Sequence, residues 1–291
     1  MSGLEARALP AVAVTGVTGT VGRLTADALA DAGVPFRMVA RSPERAPHYP
    51  GSSVVAASYG DAEAARAALE GVETLFMVSA AEDAERLAQH RSFVDAAADA
   101  GVRHIVYTSF FGASPTATFT LARDHAATEG FVRETGIAHT FLRDNLYLDF
   151  TENMVGDDDV IRGPADSGRA AMVARADVAR VAAVVLQHPH EHRDVTYDLT
   201  GPEELTFAEV AETLSRHFGR PISFHDETID EAYASRRRWE APPWQYDAWV
   251  STYTAVAAGE LAGVTDHVER VTGRRPLSLG EYLRGKEARR G

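Results

Sequence analysis

The sequence predicts an α/β fold, a doubly wound parallel sheet with a smaller C-terminal α/β lobe. Three observations carry that prediction. The apolar run Ala11–Thr15 has strand length and breaks into a glycine-rich turn at Gly16–Gly22; such a run suits a strand buried on both faces. Strand-length and helix-period segments then alternate as far as residue 142, a pattern that sets helices on both faces of a parallel sheet through right-handed crossovers. One cadence also recurs, Ala-Gly-Val at 32–34 and 100–102 and Thr-Gly-Ile at 135–137. Each places a glycine just past a helix and a β-branched residue at the start of the next strand.

The elements follow in order. After the turn, Val21, Leu24, Ala28, Leu29 and Ala32 fall at helical spacing, and Gly33 supplies the stop. Residues 35–40 read as the second strand, Ser53–Ala57 as the third, Ala62–Leu69 as a short helix and Thr74–Ser79 as the fourth strand. A longer helix over Ala84–Ala100 leads into strand Val102–Thr108, and a helix over Ala122–Glu134 leads into strand Ile137–Leu142. After about residue 148 the cadence loosens. Met154–Gly168, rich in Asp and Gly, reads as a surface loop, Asp177–Gln187 as a helix and Val195–Leu199 as another strand. Helical stretches around Phe207–Phe218 and Tyr253–Val264 complete the pattern. These segments place the sheet domain at 1–150, with 168–200 returning to it, and the smaller lobe at 151–167 and 201–291.

Composition narrows the function classes. Of 291 residues, 45% are hydrophobic and 24% charged, enough apolar material for a full core. The net charge of −13 comes with no long basic run, which argues against a phosphate-tracking nucleic-acid surface. The densest positive patch before the C-terminal tail is Arg236–Arg238. No apolar stretch is long enough to predict a membrane span. The opening MSGLEARALP lacks the basic start and apolar core of a signal peptide. The expectation is a cytoplasmic protein, monomer or homodimer, acting on a small molecule. With no cysteine, thiolate nucleophiles, disulfides and cysteine-ligated metals are excluded.

The turn Thr15-Gly16-Val17-Thr18-Gly19-Thr20-Val21-Gly22 sits between the first strand and the first helix. In a Rossmann-type unit the first glycine makes the tight turn. The second lets backbone approach a pyrophosphate, and the third lets helix pack on strand. Free amides at the helix start then face the phosphates. Gly16, Thr18, Gly19, Thr20, Val21 and Gly22 are the candidate dinucleotide contacts. An acidic residue at the tip of the second strand would select a ribose hydroxyl. Arg41-Ser42 stands there instead, with Arg45 nearby, and a guanidinium beside a hydroxyl suits a 2′-phosphate. NADPH is therefore the expected cofactor, and NADH the poorer fit.

Taken together, these segments resemble the NmrA-like branch of the atypical short-chain dehydrogenase/reductases, particularly the type 2 NAD(P)H:quinone oxidoreductases. The likeness is carried by Thr15–Gly22, Val39–Pro43, Gly60-Asp61 and Val106–Ser109. It continues through His125–Glu129, Thr140–Tyr147, Arg175–Ala179, Leu199–Pro202 and Val271–Pro276. The resemblance implies a dinucleotide lying across the sheet edge. The loops after the fourth, fifth and sixth strands would flank the nicotinamide, contributing Val78, Ser79, Ala80, Thr108, Asn145 and Leu146. Asp61, after the third strand, joins the cofactor set.

Short-chain dehydrogenases usually protonate their substrate with a Tyr-x-x-x-Lys dyad, the lysine lowering the tyrosine pKa. That dyad is not expected here, because the one lysine is Lys286 near the C-terminus. His125 and Glu129 stand at i, i+4 on one predicted helix, either as an imidazole held by a carboxylate for proton donation or as an ordinary surface pair. Tyr147, after the sixth strand, is the other donor candidate. Ser109 falls where the parent superfamily carries its substrate-binding serine.

Two readings of function follow. One is a reductase moving hydride from NADPH to a quinone-like or other conjugated or carbonyl acceptor, without flavin or metal. The other is a non-catalytic dinucleotide sensor of NmrA type. His188-Pro189-His190-Glu191-His192 has metal-like composition but falls in a predicted loop, and no metal is expected. Trp239, Trp244 and Trp249 cluster beside Tyr246 and two prolines. They read first as packing for the lobe, and alternatively as an aromatic wall favouring flat substrates.

Overall fold

The structure is a computed structural model and describes residues 10–287. Apolar runs and glycine stops resolve into β1 (Val12–Thr15), α1 (Thr20–Asp31), β2 (Arg37–Ala40), β3 (Ser53–Ala56) and α2 (Ala62–Leu69). There follow β4 (Thr74–Met77), α3 (Arg86–Asp99), β5 (His104–Phe110), α4 (Thr120–Glu134) and β6 (Ala138–Asp144). Gly33, Gly101 and Gly136, the glycines of the recurring cadence, all take positive φ just past a helix, the conformation such ends require. Downstream lie β7 (Val160–Gly163), α5 (Arg175–Gln187), β8 (Val195–Leu199), α6 (Phe207–Phe218) and β9 (Ser223–Asp226). The chain closes with α7 (Ile229–Arg236), α8 (Pro243–Ala257), α9 (His267–Thr272) and α10 (Leu279–Glu287).

Seven strands form a Rossmann-type sheet in the order β3-β2-β1-β4-β5-β6-β8. The pairs β1–β2, β1–β4, β2–β3 and β4–β5 are parallel, with Ala13 opposite Arg37 and Thr74 opposite His104. The order reverses between β1 and β4, and such a switch point is where open α/β sheets bind ligands.

The chain divides into two compact units. The first takes the described residues up to Thr108, with Gly130–Phe141 and Ala182–Val195; the second takes Ser109–Glu129, Leu142–Val181 and the described residues from Thr196 onward. Strands β5 and β6 thus run through both, and the second unit begins earlier than a boundary at residue 150. The physical reason is core membership. Phe110, Ala117 and Ala122 bury with Leu148, Ile161, Phe207 and Leu214. Leu75, Met77, Phe93, Ile105, Tyr107 and Phe141 make the core of the first unit. Each fully buried Leu, Ile, Met or Phe among them contributes roughly 1.5–3 kcal/mol of transfer free energy.

Two segments differ from the sequence expectation. Residues 154–168 are not all loop: β7 pairs in parallel with β9, Val160 opposite Ser223 and Gly163 opposite Asp226. Four-residue strands leave no usable periodicity, and in β7 only Ile161 and Gly163 face inward. The helix expected at Tyr253–Val264 instead spans Pro243–Ala257. Pro243 takes its first position, where proline fits because its missing N–H has no partner there anyway. Gly259, at φ 76°, follows its C-terminal end. In α10, Lys286 pairs with Glu152 at 2.5 Å. Among the described residues no helix is long and apolar enough to cross a membrane.

Candidate cofactor and catalytic sites

In the first unit, the glycine turn is shaped by contacts that a side chain would destroy. Gly16 has φ +65°, and a Cβ there would meet the Val78 Cβ at 2.8 Å. The Gly19 amide donates to the Gly16 carbonyl at 2.9 Å, closing the turn. A Cβ on Gly22 would lie 2.4 Å from the Gly16 carbonyl, so only glycine lets α1 seat this closely on β1. Gly19 is different: the nearest atom to its Cβ would be 3.4 Å away, and Thr18, Gly19 and Thr20 are exposed. Gly19 is also the N-cap of α1, with no side-chain cap and no acidic residue in the first turn. The amides of that turn and the positive end of the helix dipole therefore face open space. An open glycine cradle under uncapped amides fits a pyrophosphate.

Arg41 is exposed at the end of β2, and Ser42 is half-buried before a 3-10 turn at Pro43–Arg45. No carboxylate pairs with Arg41 among the described residues. Asp61 is the N-cap of α2, its Oδ1 accepting from the Ala64 amide at 3.0 Å.

Residues 78–80 are held by side chains that sequence reasoning missed. The Val78 amide donates to Thr15 Oγ1 at 2.9 Å, and its carbonyl accepts from the Tyr59 hydroxyl at 2.6 Å. The Ser79 amide donates to Thr108 Oγ1 at 2.7 Å, and the Ala80 amide to His90 Nε2 at 2.9 Å. Burial, with the Arg86 charge beside it, pushes His90 down to about 3. Its ring is neutral, so Nε2 is available as an acceptor. Tyr59 stacks on Phe93, centroids 4.2 Å apart, and burial raises its pKa. Nothing in the spacing of Thr15, Tyr59 and His90 signals that they converge on one loop.

In the second unit, Glu129 is the centre of a buried network. Its Oε1 accepts from Ser109 Oγ and Arg143 Nε at 2.7 Å, and its Oε2 accepts from Arg143 Nη2 at 2.7 Å. Ser109 lies inside β5 rather than after it, fully buried. His125 stands one helical turn before Glu129 on α4, and the Glu129 carboxylate also gathers Ser109 and Arg143. His125 is 8% exposed and sits against Phe110, centroids 6.1 Å apart. Asn145 is fully buried and ties three segments: its amide donates to Leu199 O, its Nδ2 to Leu261 O, and its Oδ1 accepts from the Leu146 amide. Leu146 in turn accepts from the Val173 amide at 2.9 Å.

Tyr147 follows β6. The Arg175 guanidinium lies 4.6 Å over its ring and 4.2 Å over that of Phe150. Asp144, the last residue of β6, lies near enough to influence its hydroxyl electrostatically. Burial, above all, drives Asp144 up to about 8, against the opposing pull of Tyr147 and Arg175. Phe150 also lines a cavity of about 750 Å³ within this unit, with Met154, Val160, Trp239, Trp249 and Tyr253. Trp239 and Trp249 meet edge to face at 6.0 Å, and Tyr246 meets Trp249 at 5.7 Å. Packing and lining are thus done by the same rings.

The Tyr-x-x-x-Lys spacing does occur once, at Tyr282 and Lys286 on α10. Tyr282 is buried in the apolar core of the second unit, and the Lys286 charge is taken by Glu152. The lysine therefore serves an ion pair, which is a better ground for setting the dyad aside than its place near the C-terminus. The histidines at 188–192 fall in and beside the 3-10 turn Pro189–His192. Among the described residues no group of three or more His, Cys, Asp or Glu is disposed to hold a metal.

Comparison with known proteins agrees with this geometry. A family described as NAD(P)H-binding matches residues 16–189. The chain is 36% identical over 272 residues to a (4-alkanoyl-5-oxo-2,5-dihydrofuran-3-yl)methyl phosphate reductase of Streptomyces griseus, covering 90% of this chain and 93% of that one. It is 30% identical to an NAD(P)H azoreductase of Xenophilus azovorans, covering 95% and 98%. Among solved structures, the Escherichia coli NADPH-dependent quinone oxidoreductase complexed with NADPH superposes with a TM-score of 0.87, at 28% identity, over 95% of this chain and 99% of that one.

Proposed function

The chain belongs to the NAD(P)H-binding family and is an NAD(P)H-dependent oxidoreductase; we propose that it passes hydride from NADPH to a flat conjugated acceptor, quinone-like or otherwise carbonyl-bearing. The observation that carries the cofactor side is the open cradle at Gly19 beneath the uncapped amides of α1. Thr18–Gly22 hold the pyrophosphate, and Arg41 with Ser42 take the 2′-phosphate, which sets NADPH above NADH. The side-chain ties on residues 78–80 keep that loop in one conformation, so little ordering entropy is lost on binding.

NADPH supplies the hydride. The acceptor side rests on the aromatic cavity of the second unit, whose volume is that of a small-molecule site and whose rings suit a planar guest. Tyr147 gives the proton that follows hydride addition. Ser109 is a buried helper rather than a donor, since it already spends its proton on Glu129, and His125 is the second candidate donor. A quinone-like acceptor needs only modest acid catalysis, because its oxyanion is already stabilised. The sensor reading gives way because three relatives at 30% identity or above are reductases or oxidoreductases by name.

The test is NADPH oxidation, followed by loss of nicotinamide absorbance, against quinones, enones, azo compounds and simple carbonyls. Turnover is expected with the flat conjugated members, and 4-deuterated NADPH should deliver its label to a carbon-accepting one. Tight NADPH binding with no turnover on any member would return the protein to the sensor reading. A tightly bound yellow cofactor would overturn direct transfer.

A further inference from the structure

We propose that the acceptor taken by the aromatic cavity carries an acidic group, a carboxylate, sulfonate or phosphate on a flat ring system, and that Arg238 recognises it. The inference rests on the reading of that cavity as the acceptor site and names the class of acceptor more narrowly. Three guanidinium groups stand in the cavity wall, those of Arg162, Arg236 and Arg238. They differ in what already holds them. Arg162 is committed to Asp158 through two bonds, Nη1 to Oδ1 at 2.9 Å and Nη2 to Oδ2 at 2.6 Å. Arg236 is buried with Glu227. Its Nη1 donates to Glu227 Oε2 at 2.8 Å and to the Ala232 carbonyl at 2.9 Å, and its Nη2 to the Arg162 carbonyl at 3.3 Å. Arg238, two residues past α7, is exposed and has no carboxylate partner among the described residues. A guanidinium stays protonated at any ordinary pH, so one of the three charges is left unpaired.

That charge is seated on the wall rather than loose in solvent. The Arg238 guanidinium lies 4.0 Å over the ring of Trp239, itself a wall residue. Trp239 is fixed in turn: its amide donates to the Arg236 carbonyl at 3.1 Å, and its carbonyl accepts from the Tyr246 hydroxyl at 2.6 Å. Its indole meets that of Trp249 edge to face at 6.0 Å. The indole shields one side of the guanidinium from water, and a guanidinium is weakly hydrated to begin with, so little solvent is given up when an anion approaches. A planar guest held against these rings has the cation beside it, and an acidic substituent completes a charge-assisted pair there.

The carboxylates of the wall are Asp157 and Asp158. Asp158 is neutralised by Arg162. Asp157 lies exposed on the turn between Val155 and Ile161, which pair as an antiparallel bridge. Arg238, by contrast, is seated on a ring of the wall, where a flat guest stacks. This favours an anion over a cation as the charged part of the acceptor.

The experiment compares anthraquinones that share one ring system and differ in one substituent: the carboxylate, the neutral carboxamide and a trimethylammonium-methyl cation. Each is titrated by calorimetry into the protein loaded with NADP+, which holds an acceptor without reducing it. The carboxylate should bind about tenfold more tightly than the carboxamide, the size of one charge-assisted bond, and the cation most weakly. The sulfonate and methyl-phosphate analogues, run alongside, rank the acidic groups, and each should exceed the carboxamide. Arg238→Ala should bring carboxylate and carboxamide within about threefold of each other by removing that bond, with carboxamide affinity itself nearly unchanged. Arg238→Glu should place the cation first. Both variants lie at an exposed position and should keep the urea midpoint of the unmodified protein. Added salt should narrow the acid preference, because the pair is open to solvent. Equal affinities for carboxylate and carboxamide, tightest binding by the cation, an undiminished preference in Arg238→Ala, or no binding by any member would each overturn the inference. NADPH oxidation with the same compounds judges the reductase reading separately. Turnover with no acid preference would sink the inference alone, whereas acid preference with no turnover would count against hydride transfer and leave the role of Arg238 standing.

Discussion

Two glycines of one turn are expected to fail in opposite ways. Gly19→Val adds a side chain where the nearest neighbour of its Cβ would be 3.4 Å away, at an N-cap whose φ of −101° and ψ of 177° any residue adopts. The fold should lose no more than about 1 kcal/mol, the usual cost of an apolar residue at an N-cap. The isopropyl group nonetheless fills the space proposed for the pyrophosphate, and NADPH affinity should drop at least a hundredfold, roughly 2.7 kcal/mol. Gly22→Ala places its Cβ 2.4 Å from the Gly16 carbonyl and 2.6 Å from that of Thr15, both backbone atoms. Helix α1 must then retreat by about 1 Å, an overpacking cost of roughly 1–3 kcal/mol. At a urea m-value of about 2 kcal/mol/M, that lowers the midpoint by about 0.5–1.5 M. Urea unfolding by circular dichroism and NADPH titration by fluorescence separate the two. NADPH affinity within threefold of normal in Gly19→Val would place the phosphates elsewhere. An unchanged midpoint in Gly22→Ala would show that the close seating of α1 on β1 costs nothing to undo.

Three further outcomes are expected. Arg41→Ala should weaken NADPH about tenfold, the loss of one exposed charge-assisted bond, while NADH is unaffected; calorimetric titration of both cofactors checks it. Glu129→Ala should cost about 3 kcal/mol in urea unfolding, the low end for stranding a buried ion-pair partner because Arg143 is 24% exposed and regains some water. For Asp144, a carboxyl that titrates at about 8 when folded and near 3.8 when unfolded holds a proton that the unfolded chain releases. Its stabilisation is full below about pH 4 and drains away as pH rises to 8. Urea midpoints should therefore fall less between pH 5 and pH 8 in Asp144→Asn than in the unmodified protein.

The legible parts of this chain were those written in local pattern. Glycines after helices and short apolar runs located the strands of the main sheet, most plainly β2, β4 and β5, which are buried on both faces and leave a continuous signature. The glycine turn was equally plain, since its chemistry is backbone chemistry confined to eight adjacent residues. β7 and β9 escaped because β7 buries two residues and β9 none, too few for a period to emerge. At the sites, spacing was silent where partners come from other elements. It set Glu129 beside His125 on one helix face but gave no sign that Glu129 also holds Ser109 from β5 and Arg143 from β6. The ties from Thr15, Tyr59 and His90 to residues 78–80 span three elements, and no single segment announces them. Asp144 sits inside a segment already recognised as family-like, but its unusual acidity belongs to burial, which a sequence does not display.

The ion pair between Lys286 and Glu152 has a practical consequence. With no cysteine and a single lysine, the chain offers amine-directed reagents one internal target besides the terminal amino group, and thiol-directed reagents none. That target is half-buried and held by a carboxylate, so acylation should be slow at moderate pH and should report on the integrity of the α10 contact. Conversely, a cysteine introduced at any exposed position becomes the sole thiol. A fluorophore or crosslinker placed beside exposed Trp239 would thus attach at one place without prior removal of competing sites. The molecule is chemically quiet by composition, which makes it a clean background for single-site labelling of its own cavity.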